Sequence, residues 1–201
     1  MDDLLIIFVK NTIKGKVKTR LAQDIGDDQA LLVYKRLLEK TAAVVSEGQF
    51  AKWVFYSDQI EENDLWEAGI GKKLQKGSDL GEKMANAFKD GFDANFRRIC
   101  IIGSDCYELN IEIIWSAFDQ LKTHDCVIGP ANDGGYYLLG MTAFNDEVFE
   151  AKDWSTDQVF PQTLESFKSQ NLFYHQLPEL TDIDTLEDLQ KFPQILPKEN
   201  H

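Results

Sequence analysis

Leu4-Leu5-Ile6-Ile7-Phe8-Val9 is an unbroken apolar run, and it passes directly into Lys10-Asn11-Thr12-Ile13-Lys14-Gly15-Lys16-Val17-Lys18-Thr19-Arg20. The run is too short for an ordinary helix and rich in β formers. It predicts a buried strand over Leu5 to Val9. The segment behind it reads as a loop. Lys10, Lys14, Lys16, Lys18 and Arg20 fall within eleven positions that hold no acid. In α/β layered domains ligands gather beyond the carboxyl ends of buried strands, so this strand and its cationic exit set the first expectation for fold and site together.

Outward from there, strands and helices alternate. Asp28 to Val45 predicts a helix, with Leu31, Tyr34, Leu38 and Val45 on one face and mostly charged residues on the other. Trp53 to Tyr56 is a second strand, and Leu65 to Ala68 a short helix ending at Gly69. Asp79, with Glu82 three residues on, opens a helix through a capping box, running to about Phe92. Ile99 to Ile102 is a third strand, ending at Gly103-Ser104-Asp105. Asn110 caps a helix through Leu121. Cys126 to Ile128 is a fourth strand, broken by Gly129-Pro130, and Tyr136 to Leu139 a fifth. Ser155 with Gln158 starts a helix toward Phe167 that Pro161 is expected to kink. Leu172 to Gln176 is a sixth strand, Asp184 with Glu187 caps a last helix, and the tail after Pro193 is expected to be loose. This order predicts an α/β fold with a largely parallel sheet. The whole chain reads as one domain, with its core over about residues 4–192.

Composition narrows the function. The chain has 201 residues, 43% hydrophobic and 27% charged, the balance of a globular protein. No window approaches the ~18 apolar residues of a membrane span. A signal peptide wants a basic start and a longer apolar stretch than the run after Asp2 and Asp3, so secretion is not expected. Cys100, Cys106 and Cys126 are odd in number and form no CxxC pair. Neither a disulfide framework nor a cysteine zinc site fits, and a cytoplasmic setting is expected. The net charge is −13, which repels nucleic acid and acidic membranes. A short cationic segment on so acidic a chain suits one small anionic ligand, such as a phosphate group. A merely solvated basic loop is the alternative.

The cationic loop contains Gly15-Lys16, but it is not a Walker A motif. Position 10 is Lys where the first Gly belongs, and Val17 follows Lys16 where Ser or Thr is required. A GxGxxG fingerprint is also lacking. What remains is a set of point charges and one guanidinium fork able to neutralise a diphosphate or triphosphate. Asp105, at a strand end after Gly103-Ser104, is placed to hold a hard cation or to cap the next turn. In Gly129-Pro130-Ala131-Asn132-Asp133-Gly134-Gly135-Tyr136-Tyr137, Asp133 could bind a hydroxyl or act as a base, or could sit in a plain turn. Asp184, in Thr181-Asp182-Ile183-Asp184-Thr185, is a second candidate metal ligand and a candidate helix cap. The three histidines form no metal spacing.

Taken together, Lys-x3-Lys-Gly-x-Val-Lys-Thr-Arg-Leu, Gly77-Ser78-Asp79-Leu80-Gly81-Glu82-Lys83-Met84, Gly-Ser-Asp-Cys, Gly-Pro-Ala-x-Asp-Gly-Gly-Tyr-Tyr-Leu-x-Gly-Met and Asp-Ile-Asp-Thr-x-Glu-Asp-Leu resemble a known family. It is the small bacterial glycosyltransferase family (DUF2064-like, a subset associated with arsenosugar biosynthesis) of the nucleotide-diphospho-sugar transferase superfamily. The resemblance runs from Leu5 to Leu189. It implies a glycosyltransferase-A type fold, a Rossmann-like α/β/α sandwich with a mostly parallel mixed sheet. It also implies a transferase that takes a nucleotide or nucleotide-sugar donor and a small-molecule acceptor, with Mg2+ or Mn2+ as cofactor. By motif position, Lys10, Lys18 and Arg20 face the phosphates, and Asp79, Leu80, Gly81 and Glu82 the nucleoside. Asp105 and Asp184 hold the metal, and Asp133, Gly134 and Gly135 line the acceptor side. Lys18, Arg20 and Asp133 are the catalytic candidates. The superfamily also contains nucleotidyltransferases, whose Gly-rich signature this chain lacks. Relatives usually carry Pro where Thr12, Lys14 and Tyr107 stand. Nucleotidyl transfer, or nucleotide binding without turnover, is therefore the alternative to glycosyl transfer.

Overall fold

The chain builds one sheet around that first strand. A computed structural model describes residues 1–195. Its elements are β1 (Asp3–Val9), α1 (Thr19–Ile25), α2 (Asp27–Ser46), β2 (Ala51–Tyr56), β3 (Gly71–Leu74), α3 (Leu80–Asp93), β4 (Arg98–Ile102), α4 (Ile111–Gln120), β5 (Cys126–Pro130), β6 (Tyr136–Met141), α5 (Val159–Ser169), β7 (Tyr174–Gln176) and α6 (Leu186–Gln190). The seven strands run in the order β3-β2-β1-β4-β6-β5-β7. β6 is antiparallel to both neighbours, β4 and β5. The other pairings are parallel. This is the Rossmann-like α/β/α arrangement with a mostly parallel mixed sheet.

Alternating side chains of β1 divide the core. Leu5, Ile7 and Val9 pack with Tyr34, Leu38 and Val45 of α2 and Ile114 and Phe118 of α4. Leu4 and Ile6 face the opposite layer, with Met84 and Phe88 of α3 and Phe167 of α5. A third cluster joins Leu21 of α1, Val33 and Leu37 of α2, and Leu189 of α6. The chain leaves β1 toward β2 and β3, then returns through α3 to β4 on the other side of β1. That reversal opens a crevice beyond the ends of β1 and β4.

Several expectations are corrected. Leu65 to Ala68 is not helical. The Asp64 carboxylate takes the Trp66 N–H at 3.1 Å, and Lys72 Nζ donates to the carbonyls of Glu61 and Glu62, so the backbone is held in turns instead. β3 is a strand that hydrophobicity hides. It lies at the sheet edge, where lysines are favoured, and Lys73 Nζ sits 3.8 Å from the Trp53 ring centroid and 2.9 Å from Asp90. The cationic loop ends at Lys18, and Thr19 already begins α1. Gly129-Pro130 does not end β5, which runs through Pro130 with a shift of its register against β6 between the two. Ser155 does not start α5, which begins at Val159. Pro161 therefore falls in the first turn, where its missing N–H costs nothing and no kink is required. The last helix is capped by Thr185 and Asp188, not by Asp184 and Glu187.

Asp79 does cap α3, accepting from the Glu82 N–H at 2.9 Å, but Glu82 reaches back to Ser78 rather than to Asp79. Asn110 caps α4 as expected. Of the tail after Pro193, residues 193–195 form a 3-10 turn that buries Ile195, and Arg36 Nη1 donates to the Ile195 carbonyl. The remainder of that tail lies outside the described residues.

Candidate active site

Beyond β1 and β4 lies a cleft of about 590 Å3. Its charged side is assembled first by Tyr34 of α2. The buried phenol accepts from the Lys10 N–H at 2.8 Å and donates to the Lys10 carbonyl at 3.0 Å, and its oxygen lies 3.3 Å from Ser104 Oγ. One hydroxyl thus ties the exit of β1 to the exit of β4. Burial and the nearby Asp105 charge push the phenol pKa well up, so it stays a neutral donor. Beside it, Lys18 adopts a left-handed backbone (φ 48°, ψ 44°) just before α1. That conformation is uncommon for a residue with a side chain. It turns Lys18 inward. The side chain is 4% exposed, and Nζ lies 2.6 Å from Asp105 Oδ1. Oδ1 is buried, and among the described residues the Lys18 ammonium is its partner.

The segment 180–184 completes this side. Cys106 and Asp182 form an antiparallel bridge, and the Ile183 N–H donates to the Asp105 carbonyl at 3.1 Å. The carboxylates of Asp182 and Asp184 are thereby brought to the same cleft as Asp105. Arg20, exposed at the start of α1, reaches Asp184 at 3.2 Å. The capping box one residue later explains why Asp184 is free to do so. Asp133 lies across the cleft, with Oδ1 held by the Gly135 N–H at 2.9 Å.

Lys10, Lys18, Arg20, Leu80, Asp105, Asp133, Gly135 and Asp184 therefore line one cleft, although they come from stretches far apart in the chain. Asp79, Gly81, Glu82 and Gly134 do not line it. Asp79 and Glu82 are occupied in capping. Gly81 is packed against Trp154, and Gly134 (φ +86°) forms the turn under Asp157. The sequence reading passed over Asp182, Tyr34 and the stretch Trp154 to Asp157, all on the cleft wall. Asp182 stood inside a quoted string, so its signal was present. Cys106, by contrast, is buried and its thiol pKa is pushed up to about 12, as a packed cysteine's would be.

Among the described residues no group of three or more His, Cys, Asp or Glu side chains converges as a ready metal cage. Magnesium seldom needs one. It is bound through one or two carboxylates together with substrate phosphates and water. Asp105, 38% exposed at the β4 exit and sharing the cleft with Asp184, fits that pattern.

Asp182 carries its own prediction. Burial first, then the neighbouring Asp105 charge, push its pKa up to about 7. An unfolded Asp titrates near ~3.9. The unfolded chain therefore releases this proton first, and stability falls as pH rises from about 4 to about 7. Asp182→Asn imitates the protonated form. Melting curves in chelator across that range are expected to show the variant more stable above pH 7, by on the order of 5 °C, with the gap closing toward pH 4. Parallel curves would show that Asp182 does not titrate there.

The family described as "Uncharacterized protein conserved in bacteria (DUF2064)" matches residues 40–156, more than half of the chain. The chain belongs to DUF2064. No curated protein matches it. Among solved structures, it is similar to one from Desulfovibrio desulfuricans G20 assigned as a nucleotide-diphospho-sugar transferase, 29% identical. That match has a TM-score of 0.89 over 99% of this chain and 89% of that one. It is also similar to CMP:2-keto-3-deoxy-manno-octonic acid synthetase complexed with CTP, 7% identical, TM-score 0.58, over 97% of this chain and 98% of that one. A third is the inositol-1-phosphate CTP transferase of T. maritima, 14% identical, TM-score 0.52, over 98% and 95%. The last two likenesses show the fold alone. In fold this DUF2064 chain is similar to structures of nucleotide-utilising transferases. No helix of the described residues is long and apolar enough to cross a membrane.

Proposed function

We propose that the chain transfers a sugar from a nucleoside-diphosphate donor to the hydroxyl of a small-molecule acceptor. One observation carries this: Lys10, Lys18 and Arg20 stand over the same cleft as Asp105, Asp133 and Asp184, beyond the carboxyl ends of β1 and β4. The volume, about 590 Å3, suits a nucleotide-sized ligand.

In this reading the diphosphate lies against Lys18 and Arg20, with Lys10 at the mouth. As the bond from the sugar carbon to phosphate oxygen breaks, the departing diphosphate gains charge. Fixed cations stabilise that charge without having to reorganise. The acceptor oxygen forms the new bond to the sugar carbon, and its proton passes to Asp133, whose Oδ1 is already oriented by Gly135. A divalent cation such as magnesium, held by Asp105 and Asp184, would neutralise part of the diphosphate charge. The lack of a Gly-rich wrapping loop supports a diphosphate donor over activation of a nucleoside triphosphate.

The test is calorimetric titration with nucleoside diphosphates, triphosphates and sugar nucleotides, with and without magnesium, followed by product analysis against hydroxyl acceptors. Release of nucleoside diphosphate together with a glycosylated acceptor is expected. Release of pyrophosphate from a triphosphate would establish nucleotidyl transfer instead. Tight binding without any product would make the chain a binding module.

A further inference from the structure

The cleft has two unlike walls. Its cations and three of its carboxylates come from the layer of α1, α2 and α6 and from the exits of β1 and β4. Leu80, Tyr136, Trp154 and Val159 come from the layer of α3 and α5 and make an apolar face. Trp154 is the largest of these. It is only half-buried, on a segment before α5 that is clamped at several points.

Lys152 Nζ donates to Ser166 Oγ at 2.7 Å. The Asp153 N–H donates to Gln162 Oε1 at 2.8 Å, and Gln162 Nε2 donates back to Asp153 at 2.7 Å. Past the tryptophan, Ser155 turns through φ 66°, and Thr156 Oγ1 donates to the Asp153 carbonyl at 2.6 Å.

Two motif glycines exist to receive this segment. A Cβ on Gly81 would fall 2.4 Å from the Trp154 indole, and one on Gly134 would fall 2.4 Å from Asp157 Cα. Real Cβ contacts do not approach so closely. Gly81 and Gly134 therefore act less by touching a ligand than by making room for residues 154–157 on the cleft wall. A rigid indole results, bordered by the exposed side chains of Ser155, Thr156 and Asp157.

Resting on the reading proposed above, we infer that Trp154 and this polar border form the subsite for the donor's sugar ring. A pyranose has an apolar face of C–H groups and a rim of hydroxyls. An aromatic face edged by hydroxyl and carboxylate groups complements both parts. The cations of the opposite wall leave the apolar side as the surface suited to the uncharged end of the donor.

The experiment measures, by titration calorimetry, nucleoside diphosphates of the common bases and the same diphosphates carrying glucose. Wild type, Trp154→Ala and Trp154→Phe are compared. Trp154→Ala is expected to weaken the glucose conjugate about tenfold relative to wild type, with Trp154→Phe retaining most of the affinity. The bare diphosphate should bind wild type and Trp154→Ala alike, which also shows that the variant is folded. Equal loss for diphosphate and conjugate would place the base, not the sugar, on Trp154 and overturn the inference. No loss for either would overturn it as well. Failure of every diphosphate to bind wild type would instead overturn the underlying donor reading, and the inference with it.

Discussion

Lys18→Ala is expected to lower kcat/KM for transfer by about 10²–10³-fold. Its ammonium is the buried cation of the cleft, 4% exposed and 2.6 Å from Asp105. A charge fixed in a dry pocket is worth more to a developing anion than one waving in solvent. Arg20 provides the contrast. Its side chain is 66% exposed and its partner Asp184 is 37% exposed. Solvent screens it, so Arg20→Ala should cost only about tenfold. The stability effect of Lys18→Ala should be smaller than its catalytic one. Breaking a fully buried ion pair costs about 3–5 kcal/mol. Here the Asp105 side chain is 38% exposed and can rehydrate, so about 1–2 kcal/mol is expected. Steady-state kinetics of both variants, beside denaturant melts, check the ordering. If Arg20→Ala proved the more damaging, Lys18 would be a structural counter-ion of Asp105 and not the phosphate contact.

The strand that opens the chain was legible because its signal is local. Leu4 to Val9 has to be buried on both sides, and a run buried on both sides needs helices on both faces. What escaped the sequence reading was held by side chains from elsewhere. β3 is lysine-rich, and its stability comes from the Trp53 ring and from Asp90 rather than from burial. The segment around Leu65 has helical composition, but Asp64 and Lys72 take its backbone groups. Pro161 carries the same meaning in any helix, yet whether it kinks one depends on where the helix starts. That start was set by the fold of residues 151–158, which no periodicity announces.

The site divides the same way. Lys18 could be picked out from its cationic cluster, Asp105 and Asp133 from their places at strand exits, and Asp184 from its acidic string. Which of them meet could not, since the pairing of residues 180–184 with the β4 exit is a tertiary event. Asp182 and Asp184 are two apart, and extended backbone points such residues to the same side. Both border the cleft. Tyr34 read as a core residue on a helix face, which it is. Its hydroxyl is the functional part, and nothing in a helical pattern shows where a phenol oxygen ends. Trp154 stands just before Ser155, the residue from which a helix was expected to start. Its tie to Gly81 links positions that no spacing rule connects.

Asp105→Asn is expected to abolish the magnesium dependence of donor binding while leaving the fold intact. The carboxylate sits where β4 ends, its side chain 38% exposed and its Oδ1 paired with Lys18 at 2.6 Å. A carboxylate engaged through one oxygen still has lone pairs to offer on the other. Asparagine keeps the shape and removes the charge. It also turns an acceptor toward a donor amide, so it cannot replace an anionic ligand to a hard cation. For wild type, nucleoside diphosphate affinity should rise about tenfold or more on adding magnesium, each factor of ten being about 1.4 kcal/mol. Chelator should return wild type to the level of Asp105→Asn, and the variant should be indifferent to both additions. Asp184→Asn should retain part of the response, since Arg20 already shares that carboxylate at 3.2 Å. Should Asp105→Asn keep the full enhancement, the cation is not held there. The ion pair with Lys18 would then be the whole purpose of Asp105, and the phosphate charge would rest on Lys18 and Arg20 alone.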